Sequence, residues 1–211
     1  RPLLTTYFKG IVYDAETGAK LEADFELTDL ASQTVTARSS SDRVSGEFLL
    51  VLPNERNYAL SVSKENYLFY SDSFFLTGSG SEAKPYVKNI PLKPIRVGET
   101  VVLKNIFFDT DKYILKPESM AELARLATLL RENPKLVIGI HGHTDNVGSA
   151  AHNMELSKNR ARAVYDDLVA RGIDSSRLSF DGFGFTRPVD DNTTETGRAN
   201  NRRTEFKVIG N

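Results

Sequence analysis

The sequence predicts two domains of different class, an all-β sandwich over residues 1–95 and an α+β domain over residues 98–211. Three observations predict this division. In the first half, short segments rich in β-branched and aromatic residues recur about every ten residues, which is typical of an antiparallel sandwich. In the second half, strand-like and helix-like segments alternate, which is typical of helices packed on a sheet. Between the halves, Pro91 and Pro94 favour a stiff connector.

Composition places the chain among ordinary globular proteins. Its 211 residues are 40% hydrophobic and 26% charged, and the net charge is −1. A general binder of nucleic acid or of anionic membranes would carry a basic excess, so we expect neither partner. No apolar run approaches the roughly 20 residues that span a bilayer, which predicts no transmembrane segment. The absence of cysteine excludes disulfides and thiolate metal sites, and it is compatible with an oxidising compartment.

The first half is predicted to form short strands separated by turns. β-Branched and aromatic residues are dense in five segments, residues 8–13, 25–27, 48–52, 58–62 and 68–70. Turn-forming residues stand at 14–18, 39–42 and 53–54, and a loop is predicted at 77–82. No helical period of useful length occurs in this half, which therefore predicts an all-β sandwich.

The second half is predicted to run strand, helix, strand, helix, strand, strand. Strands are expected at residues 101–108, 136–140, 178–180 and 204–209. Pro117 suits the first turn of a helix that Asn133 ends. A second apolar stripe, from Leu156 to Leu168, marks a helix that Gly172 ends. This order predicts a β-α-β-α-β-β domain with its helices on one face of the sheet.

The three histidines lie close together in the sequence, which raises the question of a metal site. His141, His143 and Asp145 have the H-x-H-x-D spacing of metallo-β-lactamase-like hydrolases, so a zinc hydrolase is one alternative. That pattern continues with a histidine where this chain has Asn146, and no histidine follows His152. A dinuclear site needs more imidazole than remains. We therefore expect strand-end histidines that hydrogen-bond to neighbours, with no metal and no other cofactor.

The most informative pattern is longer and covers the second half. Its residues are Thr144-Asp145, Leu156-Ser157, Arg160-Ala161, Val164 and Leu168. Three flanking motifs agree in order, at residues 107–110, 182–184 and 197–205. With these motifs, residues 98–210 resemble the OmpA-like (OmpA/MotB/Pal) peptidoglycan-binding domain. The resemblance implies a non-catalytic protein that binds diaminopimelate-type peptide stems noncovalently. It also implies a periplasmic location, associated with the outer membrane and cell wall of a Gram-negative bacterium.

An acid and a base in this pattern suit a zwitterionic ligand. The side-chain end of diaminopimelate carries an ammonium and a carboxylate on one carbon, and arginine can grip that carboxylate through two hydrogen bonds. The resemblance implies that Asp145 holds the ammonium and that Arg160 holds the carboxylate. It also implies a further set of pocket-lining residues: Asp109, Asn153 and Arg202, with Leu156 and Thr110 as additional candidates.

Each of the main candidates has a structural alternative. Asp145 and Arg160 are also compatible with a structural ion pair. Asn153 is a preferred residue type for a helix N-cap, and Asp109 is a preferred residue type for a turn. Arg203 is expected to point outward, because adjacent side chains in or near a strand point to opposite faces.

The first half carries a second resemblance. Residues 10–21, with the turn at 14–18, are similar to the opening of carboxypeptidase-regulatory-like (prealbumin-like) β-sandwiches. This implies a spacer or an adhesion surface without catalytic residues. The order of the two domains resembles PorE-type envelope proteins of the Bacteroidetes type IX secretion apparatus, which implies upstream domains and a lipid anchor. Because the chain begins at Arg1 without an initiator Met, we expect a processed protein or a fragment.

Two functions of different classes remain open from the sequence. In the first, the second domain binds peptidoglycan and the sandwich spaces or docks it against an outer-membrane or secretion-system assembly. In the second, the chain is an adhesion or scaffold module whose sandwich binds protein partners. The zinc hydrolase is the enzymatic alternative to both.

Overall fold

The computed structural model describes residues 5–76 and 85–211 of the chain. The chain divides into two compact units, Arg1–Ile95 and Arg96–Asn211. The loop predicted at 77–82 lies outside the described residues.

The described part of the first unit is built from strands. Their bounds are β1 (Thr5–Asp14), β2 (Asp24–Asp29), β3 (Thr34–Ser40), β4 (Glu47–Pro53), β5 (Arg56–Ser63), β6 (Tyr70–Leu76), β7 (Tyr86–Val87) and β8 (Ile90–Leu92). One sheet has the order β4-β1-β7, with β8 also paired to β1, and the other has the order β3-β2-β5-β6. The pairs of β1 with β7 and β8 are parallel, whereas the other pairs are antiparallel.

The two sheets of this unit share one hydrophobic core. Phe8 of β1 and Phe48 of β4 meet Phe25 of the other sheet, with ring centroids 5.1 Å apart for Phe8–Phe48 and 4.4 Å for Phe25–Phe48. Buried and exposed residues alternate along β4, as expected for a strand with one face on the core. The described part of the first half is therefore β-rich with two sheets, as predicted, whereas the sandwich and prealbumin-like assignments stay predictions.

Two elements of the first unit differ from the sequence prediction. Ser39 and Ser40, predicted in a turn, end β3, which was not predicted because its side chains are mostly exposed and show no apolar alternation. The strand predicted at 68–70 begins only at Tyr70 and runs to Leu76. Leu68 is buried, but its N–H donates to the carbonyl of Lys93 and not to a strand.

The second unit is a four-stranded sheet with helices. Its elements are β9 (Thr100–Val102), α1 (Met120–Glu132), β10 (Val137–Gly142), α2 (Ala150–Ala170), β11 (Leu178–Gly182), α3 (Glu195–Asn201) and β12 (Thr204–Gly210). The strand order is β11-β10-β12-β9. The helix α2 connects β10 to β11, which run parallel, whereas β12 is antiparallel to both β10 and β9. A crossover helix is what a parallel pair of strands requires.

In the second unit, the predicted start of α1 and end of α2 are confirmed, whereas β9 and α3 differ from the sequence prediction. Pro117 opens a 3-10 turn that leads into α1, and Gly172 follows α2 with a φ of +86°. The first strand, predicted over 101–108, has only three residues, because the chain leaves the sheet after Val102 and forms a loop through Phe108. The short helix α3 was not predicted, since five of its seven residues are polar and it carries no apolar stripe.

Two glycines let α2 lie unusually close to the sheet. A Cβ added to Gly142 would lie 2.0 Å from the carbonyl oxygen of Ser157, and one added to Gly182 would lie 2.2 Å from the backbone nitrogen of Lys158. Only glycine permits a backbone approach of this kind. The first half of α2 is therefore fixed directly over the ends of β10 and β11, where the candidate site lies.

Candidate binding site

A cavity of about 750 Å³ opens in the second unit, where the chain leaves β10. Its walls are the loop at residues 106–111, the connection from β10 to α2, the first half of α2, and the side of α3. All seven residues that the sequence singled out line this one cavity: Asp109, Thr110, Asp145, Asn153, Leu156, Arg160 and Arg202. The fold therefore brings together side chains from segments up to 93 residues apart in sequence, from 109 to 202.

Asp145 stands at the bottom of the cavity, three residues after the end of β10. Its Oδ2 accepts a hydrogen bond from Nη1 of Arg202 at 2.6 Å, and its Oδ1 accepts one from the backbone N–H of Val147 at 3.0 Å. Asp145 is only 8% exposed. Asp145 does form an ion pair, but its partner is Arg202. The predicted alternative of a structural ion pair between Asp145 and Arg160 is therefore wrong.

A chain of alternating charges continues from Asp145 along one wall. Nη2 of Arg202 donates to Glu195 at 2.8 Å, and Nη2 of Arg198 donates to the other carboxylate oxygen of Glu195 at 2.8 Å. The hydrogen bond to Asp145, followed by that to Glu195, raises the pKa of Arg202 above its ordinary value. Sequence reasoning missed Glu195 and Arg198 as lining residues. Arg198 stands in a flanking motif, but its direction could not be predicted without α3.

Arg160 lies across the cavity and holds the loop that forms the opposite wall. Its Nε donates to the carbonyl of Lys112 at 2.9 Å, and its Nη2 donates to the carbonyl of Asp109 at 3.2 Å. The guanidinium carbon also lies 5.1 Å from the ring centroid of Phe108, a cation–π distance. Neither backbone hydrogen bond uses Nη1. Burial lowers the pKa of Arg160, yet an arginine remains charged at any physiological pH.

Asp109 is both a turn residue and a residue of the cavity wall. Its carbonyl accepts the N–H of Lys112 at 3.1 Å, which closes a turn, so the structural alternative is confirmed. Its carboxylate lies 3.3 Å from Nζ of Lys112 and 3.6 Å from Nζ of Lys116. The hydrogen bond and charge of Lys112, and then the charge of Lys116, lower the pKa of Asp109.

Asn153 does not cap α2. The N-cap is Ser149, whose Oγ accepts the N–H of His152 at 3.3 Å. Asn153 lies inside the helix and is buried, and its Nδ2 donates to the carbonyl of Val147 at 2.8 Å. It therefore holds the connection that carries Asp145 against the helix. The N-cap alternative is wrong because the chain turns into the helix four residues earlier.

Arg203 is buried, which contradicts the outward orientation expected from the sequence. Its side chain is 7% exposed, and its Nε donates to Oε2 of Glu205 at 2.9 Å. The same carboxylate lies 3.2 Å from Nε2 of His143 and 3.9 Å from Nδ1 of His141. His141 and His143 therefore face a neighbouring carboxylate at the strand end. Within the described residues neither ring nitrogen of His143 has a hydrogen-bond partner, so the predicted hydrogen bonds to neighbours are not observed for this residue.

The third histidine belongs to the cavity. Nε2 of His152, in the first turn of α2, lies 2.5 Å from Oδ1 of Asp111 in the opposite loop. Both residues line the cavity, and sequence reasoning considered His152 only as a metal ligand. Within residues 5–76 and 85–211, no three His, Cys, Asp or Glu side chains form a group that could hold a metal ion. In the same residues, no helix is both long enough and apolar enough to cross a bilayer.

Comparison of the sequence with known proteins identifies the family to which the cavity-lining segments belong. Residues 107–202 match the model of the OmpA family. Outer membrane protein A of Bordetella avium is 36% identical over 149 residues, which cover 69% of this chain and 77% of that protein. The chain belongs to the OmpA family. The predicted resemblance to the OmpA-like domain is thereby confirmed, whereas the carboxypeptidase-regulatory-like and PorE-type resemblances stay predictions.

Two further similar proteins each match about half of the chain. The peptidoglycan-binding protein ArfA of Mycobacterium bovis is 41% identical over 103 residues, which cover 49% of this chain and 32% of that protein. The crystal structure of the peptidoglycan-associated lipoprotein from Burkholderia pseudomallei is 28% identical, covers 50% of this chain and 88% of that one, and has a TM-score of 0.45. These relatives are named as outer-membrane, peptidoglycan-binding and peptidoglycan-associated proteins.

Proposed function

We propose that the second unit binds peptidoglycan noncovalently and anchors the protein to the cell wall. The observation that carries this proposal is that all seven side chains singled out in the sequence line one cavity. Membership of the OmpA family supports it, as does the similarity to a relative named as peptidoglycan-binding.

The charges around the cavity favour a zwitterionic ligand over a polyanion. The guanidinium groups that line it belong to Arg160, Arg198 and Arg202. The carboxylates that line it belong to Asp109, Asp111, Asp145 and Glu195. Phosphate-rich ligands require a clear excess of positive charge. A cavity in which acids and bases are almost balanced instead suits a ligand that presents an ammonium and a carboxylate together.

The two charges of a diaminopimelate side chain match Asp145 and Arg160. The carboxylate of Asp145 would accept the ammonium, and Arg160 would donate from Nη1, which its two backbone hydrogen bonds leave unused. Without ligand, Arg202 occupies Oδ2 of Asp145. When the ligand ammonium shares that carboxylate, Arg202 keeps Glu195 as its second partner. Asp145 can therefore accept a new cation without leaving Arg202 unpaired.

Calorimetric titration with two stem peptides tests this specificity. A lysine stem lacks the side-chain carboxylate, so its binding leaves Arg160 without a ligand partner and loses about 1.5–3 kcal/mol. That loss corresponds to roughly 10- to 150-fold weaker binding than for the diaminopimelate stem. In Arg160→Gln the two stems should bind alike, and Lys158→Gln, an exposed change on the same helix, should keep the discrimination. Equal affinities in the unchanged protein would rule out the zwitterion model.

We further propose that the chain faces the periplasm and links an outer-membrane assembly to the wall, with the first unit as a spacer or docking module. The relatives named as outer membrane proteins support this location. Only the order of the two domains supports a role in type IX secretion. In a pull-down with purified sacculi, residues 96–211 alone should sediment and residues 1–95 alone should not. Sedimentation of the first unit by itself would support the adhesion alternative.

A further inference from the structure

The mouth of the cavity is bridged by a side-chain pair to which the proposed ligand scheme assigns no role. His152 projects from the first turn of α2, and Asp111 projects from the loop on the opposite wall. The nitrogen Nε2 of His152 and the oxygen Oδ1 of Asp111 are 2.5 Å apart. The two side chains are 52% and 64% exposed, so the pair lies at the rim and not at the bottom of the cavity.

The loop that carries Asp111 is held to α2 at two levels. At the inner level, the guanidinium of Arg160 binds the carbonyls of Asp109 and Lys112. At the outer level, His152 binds the side chain of Asp111. Asp111 has a φ of +59°, a left-handed conformation that costs energy in residues other than glycine. The contact with His152 helps to hold the turn in this conformation.

Asp111 also faces the residue that is proposed to bind the ligand carboxylate. Burial lowers the pKa of Arg160. Among the nearby charges, the carboxylate of Asp111 does most to raise it again. A carboxylate at this position would compete with the ligand for Arg160 if it were free to turn inward. The bond to His152 instead holds Asp111 at the rim.

We propose that His152 and Asp111 are positioning residues that form a rim clasp, which closes the loop over a bound stem peptide and keeps Asp111 away from Arg160. This inference rests on the proposed function, because the ligand that the clasp retains is the one bound by Asp145 and Arg160. The bond between His152 and Asp111 seen in this structure forms again over the ligand once the ligand has entered. It therefore slows the release of the ligand more than it changes the rate of entry.

Release kinetics of a diaminopimelate stem tripeptide from the whole chain test the clasp. His152→Gln and Asp111→Asn should each raise the dissociation rate constant about three- to ten-fold, as expected for the loss of one exposed charge-assisted hydrogen bond. The association rate constant and the Tm should stay unchanged. The double variant should release no faster than either single variant, because both changes remove the same bond. Glu155→Gln, an exposed change in the same helix turn, is the matched control and should release at the original rate.

Swapping the two residues between their positions tests whether the bond between them, and not either residue alone, slows release. Combining Asp111→His with His152→Asp should restore slow release, since histidine also tolerates the left-handed conformation. Unchanged release in the single variants, or additive effects in the double variant, would overturn the proposal.

Hydrogen exchange of the unliganded protein distinguishes failure of the clasp from failure of the proposed function. Amide exchange in residues 107–112 should be faster in His152→Gln than in the original chain, whether or not the tripeptide binds. If the original chain does not bind the tripeptide, the proposed function fails, and this exchange still tests the closed loop. Equal exchange in both proteins would overturn the clasp itself.

Discussion

The carboxylate of Asp145 is bound by Arg202 at 2.6 Å, although the two residues are 57 positions apart in the sequence. Arg160, the base that stands closer in the sequence, binds the backbone of the opposite loop instead. The acid and the base of the proposed site are therefore positioned separately, each by a different part of the fold. Both residues nevertheless line the same cavity.

Asp145→Ala should lose sacculus binding and also destabilise the second unit. The change removes the carboxylate that accepts hydrogen bonds from Arg202 and from the N–H of Val147, and Asp145 is itself buried. We expect the free energy of unfolding to fall by about 1–3 kcal/mol, less than for a fully buried pair because Arg202 keeps Glu195. Urea denaturation measures this loss. Substitution of a residue fully open to solvent would leave stability unchanged. Unchanged stability in Asp145→Ala would therefore contradict the role of its hydrogen bonds to Arg202 and Val147 in the fold.

Arg160→Lys should weaken binding at least about tenfold while the charge is kept. A lysine ammonium cannot span the carbonyls of Asp109 and Lys112 while it also grips a ligand carboxylate through two hydrogen bonds. Binding to sacculi and to the stem peptide measures the effect. Arg162→Lys, an exposed change on the same helix, is the control and should bind normally. Normal binding by Arg160→Lys would show that only the charge matters.

Gly142→Ala should destabilise the second unit by at least about 2 kcal/mol. Its new Cβ would lie 2.0 Å from the backbone oxygen of Ser157, so α2 would have to move away from β10. Gly139→Ala in the same strand is the control, because there the nearest atoms are side-chain atoms at 3.2 Å. Thermal melts of the two variants provide the comparison. Similar melts would mean that the close approach of helix and strand does not matter for stability.

The stability of the second unit should depend on the charge of Glu205 at low pH. Burial raises the pKa of this carboxyl, but the close contact with His143 and the charge of Arg203 outweigh it and lower the pKa to about 2. The ordinary value is 4.5. A carboxyl whose pKa is lower in the folded than in the unfolded chain stabilises the fold at any pH above its pKa in the unfolded chain. The contribution of Glu205, about 3 kcal/mol, is therefore present near pH 5 and is lost as the pH falls towards 2.

Urea denaturation at pH 5 and at pH 2.5 checks this dependence. The fall in unfolding free energy between the two pH values should be smaller in Glu205→Gln, whereas Glu155→Gln should behave like the original chain. An equal fall in Glu205→Gln would assign the acid sensitivity to other carboxylates.

Local chemistry in the sequence determined the ends of several elements, and a longer pattern named seven residues that line the cavity. Pro117 and Gly172 act within one or two turns of chain, so their effect on the helices could be predicted. Period-two and helical patterns predicted most strands and two helices for the same reason. The seven candidate residues could be named because the pattern from Thr144 to Leu168 and its flanking motifs identified the OmpA-like domain.

Only the tertiary structure decided how those residues pair. The partner of Asp145, the burial of Arg203 and the bridge between His152 and Asp111 each depend on segments that are distant in sequence. They also depend on elements with weak local signals, such as the polar helix α3 and the early end of β9. A side chain's direction is set by the backbone that carries it, and the identity of its neighbour is set by packing. The sequence pattern therefore named seven residues that line the cavity, and the fold specified which groups of the cavity bind each other.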